Sequence, residues 1–285
     1  MQRTYYRWPT QKVVKFTLIY LILFLVLYLS IMPIFFSWMA AFKSKKELMT
    51  YPNPLSFPRN WTLENFPKAW TTGRMGSYMM NSLKVVIPAV IGVLILSTLA
   101  GFAFGKLRFP GRDKLFFFFL FGLMVPGQAL IISLFYRIVS LGLINKPWAV
   151  ILPTLGTAMP FSIFMMRAFY RDLPDELMDS ALIDGCNLFQ SFAYIFLPLI
   201  MPAVSALLVF QFMASWNELQ LPMLVFFDDS VRTLPTGLMY FKGKYSADQS
   251  MIATAVTIAT VPVVVVYLIF QRTFINGITT GAIKG

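Results

Sequence analysis

An all-α integral membrane protein with six helical spans is the fold class this sequence predicts, and three observations predict it. The composition is 58% hydrophobic and 16% aromatic with only 13% charged residues, far below the roughly 25% charged residues of soluble domains. Six charge-free runs approach the ~20 residues a helix needs to cross a bilayer, at 16–36, 85–104, 115–136, 148–166, 195–216 and 251–270. The charges lie almost wholly in the connections between those runs. The expected organisation is a tail over 1–15, a six-helix membrane domain over 16–270 and a second tail over 271–285.

The first run follows Arg3, Arg7, Lys12 and Lys15, so a cleaved leader is the competing reading. The run is too long for a leader's apolar core, and Met32-Pro33-Ile34-Phe35-Phe36 offers no small-residue cleavage site. It is expected to be a retained span.

The long segment 41–84 carries Pro52, Pro54, Pro58 and Pro67, which forbid a long helix, with Phe57, Trp61, Phe66 and Trp70 as anchors. An ordered external cap is expected there. Lys and Arg divide evenly between the two sides of the six-span arrangement, so loop length decides orientation. The short second connection holds Lys106, Arg108, Arg112 and Lys114 against Asp113, and the first tail is purely cationic. Both belong inside by the positive-inside rule, and an even number of spans then places both termini there.

In the third run, Pro126-Gly127-Gln128 marks a broken helix. A break in a membrane is tolerated where protein or water satisfies the freed backbone groups. It either turns Gln128 toward a central cavity or serves packing. Pro153, Gly156 and Pro160 of the fourth run pose the same choice. Phe116–Phe119 follows the basic connection and is expected to face lipid. At the end of the fifth run, Trp216, Asn217 and Glu218 put a ring, an amide and a carboxylate at the membrane boundary, where ionisable groups usually face the bundle interior or water.

The polar stretch 179–198, DSALIDGCNLFQSFAYIFLP, separates the fourth and fifth runs. It reads as two short helices with a corner. Pro174 suits a first helical turn, and Asp175, Glu176 and Asp179 suit its positive end. Gly185 offers the left-handed stop and Asn187 a cap for the second helix. Leu177 with Ala181, and Met178 with Leu182, are spaced i, i+4 and make an apolar stripe.

This stretch resembles the cytoplasmic coupling loop of ABC importer permeases, which reads Glu-Ala-Ala, three residues, Gly, nine residues, Ile, any residue, Leu-Pro. Asp179-Ser180-Ala181 takes the first slot, Gly185 the glycine, and Ile195, Leu197 and Pro198 the end. Asp replaces Glu, Ser replaces Ala, and Cys186 stands where a small apolar residue is usual. Trp216-Asn217-Glu218 and the terminal QRTFINGITTGAIKG are similar to sugar permeases of the maltose-transporter type, of which this chain resembles the smaller, second subunit. The resemblance implies the type I ABC importer permease fold with a cytoplasmic coupling helix. It implies ATPase contact through the loop 172–198, including Leu182 and Asp184. It also carries a terminal ATPase contact onto Gln271, Arg272, Phe274, Gly277, Gly281, Lys284 and Gly285.

The implied partners are a second, non-identical permease, an ABC ATPase dimer and an extracytoplasmic sugar-binding protein, in a bacterial or archaeal cytoplasmic membrane. Gln128, Trp216, Asn217 and Glu218 become candidates for the translocation path. The implied cargo is a sugar, with a glycerol phosphodiester or another polar solute as the alternative.

Several functions are excluded. No GxxxxGK[ST] phosphate loop occurs, so ATP and Mg belong to a partner. There is no histidine and one cysteine, which leaves no zinc or haem constellation, no disulfide framework and no Ser/His/Asp or Cys/His set. An enzyme is therefore not expected. A secondary carrier would need acids buried in the spans, and none of the runs holds one. The net charge of +12 flanks the spans and forms no basic face with interleaved aromatics, so nucleic acid is not an expected partner.

Overall fold

The computed structural model describes residues 10–51, 53, 56–245 and 248–282, and every regular element among them is a helix. In chain order these are α1 (Thr10–Ala41), α2 (Lys45–Thr50), α3 (Asn65–Trp70), α4 (Met75–Lys106), α5 (Arg112–Phe121), α6 (Gly127–Ser140) and α7 (Trp148–Asp172). Then come α8 (Glu176–Ile183), α9 (Leu188–Gln190), α10 (Leu197–Leu199), α11 (Met201–Trp216), α12 (Gln220–Val225), α13 (Leu234–Lys244) and α14 (Gln249–Ala282). Four helices are long and apolar enough to span a bilayer unbroken, and two bent pairs raise the number to six.

The chain forms two compact units. The first contains α1 to α3 and residues 242–257. Its order comes from one buried cation. Lys43 is wholly enclosed and donates to Asn53 O at 3.1 Å and Ser56 Oγ at 2.9 Å. Beside it, the Asn65 amide donates to Ala41 O and Lys43 O, both at 2.9 Å, so the chain leaving α1 has its carbonyls satisfied. Burial pushes the Lys43 ammonium below its ordinary range against the opposing charge of Glu47. Of the expected aromatic anchors, Phe66 and Trp61 pack on Phe42 at 5.3 and 5.4 Å and Phe57 on Phe35 at 5.9 Å, yet Phe57, Trp61 and Trp70 each leave much of their surface exposed. A stretch punctuated by four prolines builds no surface broad enough to enclose them.

The second unit holds residues 73–241 and 258–285 and centres on the pair α4 and α7. The pairing depends on glycine. A Cβ on Gly101 would lie 2.4 Å from Met166 Cβ, and one on Gly105 2.7 Å from Tyr170 Cβ. Two membrane helices gain from such close approach because lipid tails supply no hydrophobic force between them, leaving van der Waals packing to hold the pair. One buried hydrogen bond adds α11 to the seam, from Gln211 Nε2 to Ser162 Oγ at 3.1 Å.

The third span is broken as the sequence predicts, with a bend of 96° between 112–124 and 127–140. Val125 and Pro126 are extended, at ψ 114 and 126. A proline cannot donate and biases its predecessor out of the helical region, which accounts for the break. In contrast, α7 runs unbroken through Pro153 and Pro160. Pro160 fills the space over Gly122, where a Cβ would lie 2.6 Å from Pro160 Cγ. Here proline serves packing. The fifth span is bent by 76° between 188–199 and 201–225, a feature the run 195–216 does not announce.

Gly101→Ala tests the seam because alanine is the better helix former, so any loss must come from overpacking. We expect a loss of about 1–3 kcal/mol, read as a lower melting midpoint in detergent. Gly156→Ala, at a helical position with nothing within 4 Å of an added Cβ, should leave the midpoint unchanged or raise it.

Candidate functional site

The loop between the fourth and fifth spans is built by local chemistry. Leu173 is extended at ψ 144, Pro174 follows, and α8 starts at Glu176. The helix ends at Gly185, whose φ is +81. Gly185 N donates to Leu182 O at 3.1 Å and Cys186 N to Ala181 O at 2.9 Å, the paired bonds of a Schellman motif. A small side chain at 186 suits the position after such a stop. Asn187 and Gln190 then close a capping box, with bonds of 2.8 and 2.9 Å, and open α9.

A π turn over Ser191–Phe196 leads into Leu197-Pro198. The proline ring crowds the carbonyl four residues back, at Tyr194, and the widened turn relieves it. Ile195 and Leu197 are half-buried, and Pro198 is exposed.

One side of α8 is packed and the other is bare. Met178 is buried among Phe102, Tyr170, Phe192 and Phe196 with Leu177 partly buried beside them, and Ala181 is fully buried. The apolar stripe is thus Leu177, Met178 and Ala181. Leu182, expected in it, is instead exposed with Asp179, Ser180 and Asp184. Ile183 is 86% exposed and Phe189 70%, so bare apolar groups flank the Gly185 corner. Apolar side chains held that far out on a capped corner are unusual for a surface that only water touches.

Sequence reasoning missed what holds α8 in place. Lys106, the last residue of α4, has a side chain only 1% exposed. Its ammonium donates to Leu173 O at 2.5 Å and to an Asp175 carboxylate oxygen at 2.6 Å. In sequence it reads as one more flanking cation, with nothing to mark it as a pin. The Lys106 hydrogen bond and charge hold the Asp175 carboxyl below the usual carboxylate range.

Arg167 makes a second tie, donating to Phe104 O at 3.2 Å and to Asp113 at 3.1 Å, with its guanidinium 3.7 Å over the Phe116 ring. Phe116 is therefore buried in the protein, unlike Phe117 and Phe118, which are exposed as expected of a lipid-facing run. The buried ring corrects the reading of 116–119 as uniformly lipid-facing. An arginine supplied from α7 covers the Phe116 ring, and Phe119 turns partly inward beside it against Phe104.

At the other end of the fifth span, Trp216 is buried, stacks on Phe212 at 5.4 Å and donates its indole N–H to Ala259 O at 3.3 Å. Asn217 is exposed and its amide donates to Met213 O at 2.8 Å. Glu218 accepts from Leu221 N at 3.1 Å, which caps α12. Gln128 is exposed on the first turn of α6. The bent third span and α7 bound an apolar groove of about 550 Å³, lined by Gly127, Leu134, Arg137, Leu152 and Gly156 among others.

Two further devices fix the segment after α12. Asn145, at φ 59, accepts from Phe227 N at 2.7 Å and Asp228 N at 3.2 Å. Asp229 accepts from Tyr78 and Arg232, both at 2.6 Å, and pairs with Arg74. Burial pushes the Asp229 carboxyl up, but those hydrogen bonds and cations outweigh it and hold it low.

Helices of membrane-spanning length around an exposed polar loop define an integral membrane component. Residues 95–280 match the family described as the binding-protein-dependent transport system inner membrane component, and the chain belongs to that family. It is 32% identical to a diacetylchitobiose uptake system permease protein of Streptomyces coelicolor over 89% of this chain and 84% of that one. It is 34% identical to an arabinooligosaccharides transport system permease protein of Halalkalibacterium halodurans, covering 91% of this chain and 93% of the relative. Its fold is similar to a chain of a bacterial ABC transporter involved in alginate import, with TM-score 0.82, 18% identity and coverage of 94% and 99%. The chain is therefore a membrane permease component that works with a substrate-binding protein.

Lys106→Met keeps the aliphatic stem and removes the donor, leaving Leu173 O and Asp175 without it. We expect amide exchange over 175–186 to rise several-fold, consistent with about 1 kcal/mol for a partly exposed charge-assisted bond, and little change in α4 itself. Because Asp175 titrates below its ordinary value, the protection should be constant from pH 8 to pH 5. It should be lost only as pH falls through the depressed pKa.

Proposed function

We propose that this chain is the second of two non-identical permeases in an ATP-driven oligosaccharide importer, and that α8 with the Gly185 corner is its coupling element to an ATPase dimer. The observation that carries the proposal is the exposed apolar corner of Leu182 and Ile183, with Phe189 of α9 across the turn, on a helix pinned to α4 by Lys106 and packed on α7. A rigid element seated on two spans passes a partner's displacement to both of them. Asp179, Ser180 and Asp184 supply the polar rim.

The cargo class follows from the relatives, whose names specify diacetylchitobiose and arabinooligosaccharides. Gln128 and Asn217 are the exposed polar candidates for the path. Trp216 ties the end of α11 to α14 and Glu218 fixes the turn after Asn217. Sugar hydroxyls suit the two amides.

Both termini and the α8 loop lie on the cytoplasmic side, as the cationic first tail and the basic 106–114 connection argue. The terminal segment reaches the ATPase dimer through α14. Gly277 and Gly281 lie in that helix, while Lys284 and Gly285 fall outside the described residues.

Gly185 separates geometry from bulk. An added Cβ there meets nothing within 4 Å, so a substitution is penalised only for its positive φ, by about 1–2 kcal/mol for an L side chain. Gly185→Asn, which tolerates that region, should retain ATPase subunits on purification and transport in proteoliposomes. Gly185→Val should reach the membrane normally yet lose the ATPase or uncouple hydrolysis from uptake. Ile183→Asp should weaken ATPase retention without altering membrane level. Normal uptake by both the valine and the aspartate variants would reject the coupling role.

A further inference from the structure

The connection between α4 and α5 carries more cation than its own fold employs. A shallow cavity of about 440 Å³ is lined by Arg108, Phe109, Gly111, Arg112, Asp113 and Lys114. Asp113 is the one acid in it, and it is engaged twice, by Arg112 at 3.2 Å and by Arg167 at 3.1 Å. Arg171 lies within electrostatic reach of the same carboxylate. Arg108 and Lys114 are exposed and hydrogen-bond to no carboxylate among the described residues. Three cations thus line the mouth against one acid, and Arg167 and Arg171 add charge beside that acid from α7. Their mutual repulsion in a confined mouth calls for an anion from outside the chain.

The surroundings decide which anion. Leaving the mouth along α5, Phe117, Phe118 and Phe121 are exposed one after another, and Phe109 stands at the rim. A basic mouth opening onto a bare aromatic wall, where two bilayer-length segments emerge, matches a molecule with a negative head and an apolar tail. A small soluble anion would use the mouth and leave the wall uncovered.

We infer that this chain carries a site for an anionic phospholipid, with the phosphate held by Arg108, Arg112 and Lys114 and an acyl chain laid along Phe117, Phe118 and Phe121. Guanidinium groups suit the phosphate through paired donors, and the charge balance disfavours a zwitterionic head. The site adjoins the coupling element, because Arg108 also acts electrostatically on Asp175, the residue that Lys106 pins at the start of α8. An occupant therefore sits beside the base of the lever. The inference rests on the membrane-permease assignment and is independent of the sugar cargo.

The test uses the protein purified with its partner subunits, delipidated and placed in nanodiscs of phosphatidylcholine doped stepwise with phosphatidylglycerol or cardiolipin. Lipid retained after transfer to detergent is counted by native mass spectrometry, a readout that needs neither ATP nor sugar. Wild type should retain the anionic lipid at least about tenfold over phosphatidylcholine, and the pair Arg108→Gln with Lys114→Gln should lose most of that preference. Arg108→Lys with Lys114→Arg preserves the charges and should preserve the preference, which separates loss of the site from loss of the fold. Equal retention of both lipid types by wild type, or undiminished preference in the glutamine pair, overturns the inference. Displacement of the lipid by millimolar inorganic phosphate also overturns it, in favour of a soluble-anion site. Should the glutamine pair fail to assemble, the wild-type lipid titration alone decides.

Discussion

The close approach of α4 and α7 is the constraint on which the second unit depends. Without side chains at 101 and 105, the α7 backbone settles where Met166 and Tyr170 would otherwise collide with α4. Everything that ends near this seam inherits its precision. Arg167 reaches Phe104 O because the two helices are that near. Lys106 reaches Leu173 O across the last turns of the same pair. The α8 loop is therefore anchored to a packed pair of spans, and its start is set by two hydrogen bonds from one buried ammonium.

A bilayer allows irregular backbone only where something satisfies it, and the two bent spans show different solutions. At Pro126 the break is clean: Val125 N still reaches Gly122 O through a 3₁₀ turn and Ala129 N reaches Pro126 O. Proline takes the place of a donor that would otherwise be lost. At Ile200 the chain turns without losing its bonds, since Ile200 N reaches Phe196 O and Val204 N reaches Ile200 O. The first solution opens an apolar groove beside α7 and the second re-aims the segment that leaves the α8 loop.

Much of this was legible in the sequence, and the limits have physical reasons. The six apolar runs, the break at Pro126, the left-handed Gly185 and the Asn187 cap are local signals, because each depends on a residue's own backbone preferences. The buried state of Trp216 was not legible, since its partners Phe212 and Ala259 include a residue from another helix. Nor were Lys106 and Arg167, which look like ordinary flanking cations until α8 and α5 are placed beside them. Gln211 sits alone in an apolar run and finds Ser162 only through the fold. Long-range pairing of polar groups is what a single sequence conceals, and here it joins the helices to one another.

The loops at opposite ends of the fifth span illustrate one strategy with two chemistries. After α12, the chain is held by charges and an asparagine: Asp229 gathers Tyr78, Arg74 and Arg232, while Asn145 caps Phe227 and Asp228. Before α9, the chain holds itself, through the Schellman bonds at Gly185 and the capping box at Asn187. A self-contained corner keeps its shape when a partner replaces the water around it, because few of its bonds are to solvent or distant side chains. That property suits an element that must move as a body, since a lever that deformed on docking would dissipate the displacement it is meant to pass on. The charge-bound loop has the complementary property. Its ties are to α4 and to the α6–α7 connection, so it registers shifts of those elements directly. The span between the two loops thus has one end closed on itself and another wired to neighbouring helices, the arrangement that the proposed coupling role requires.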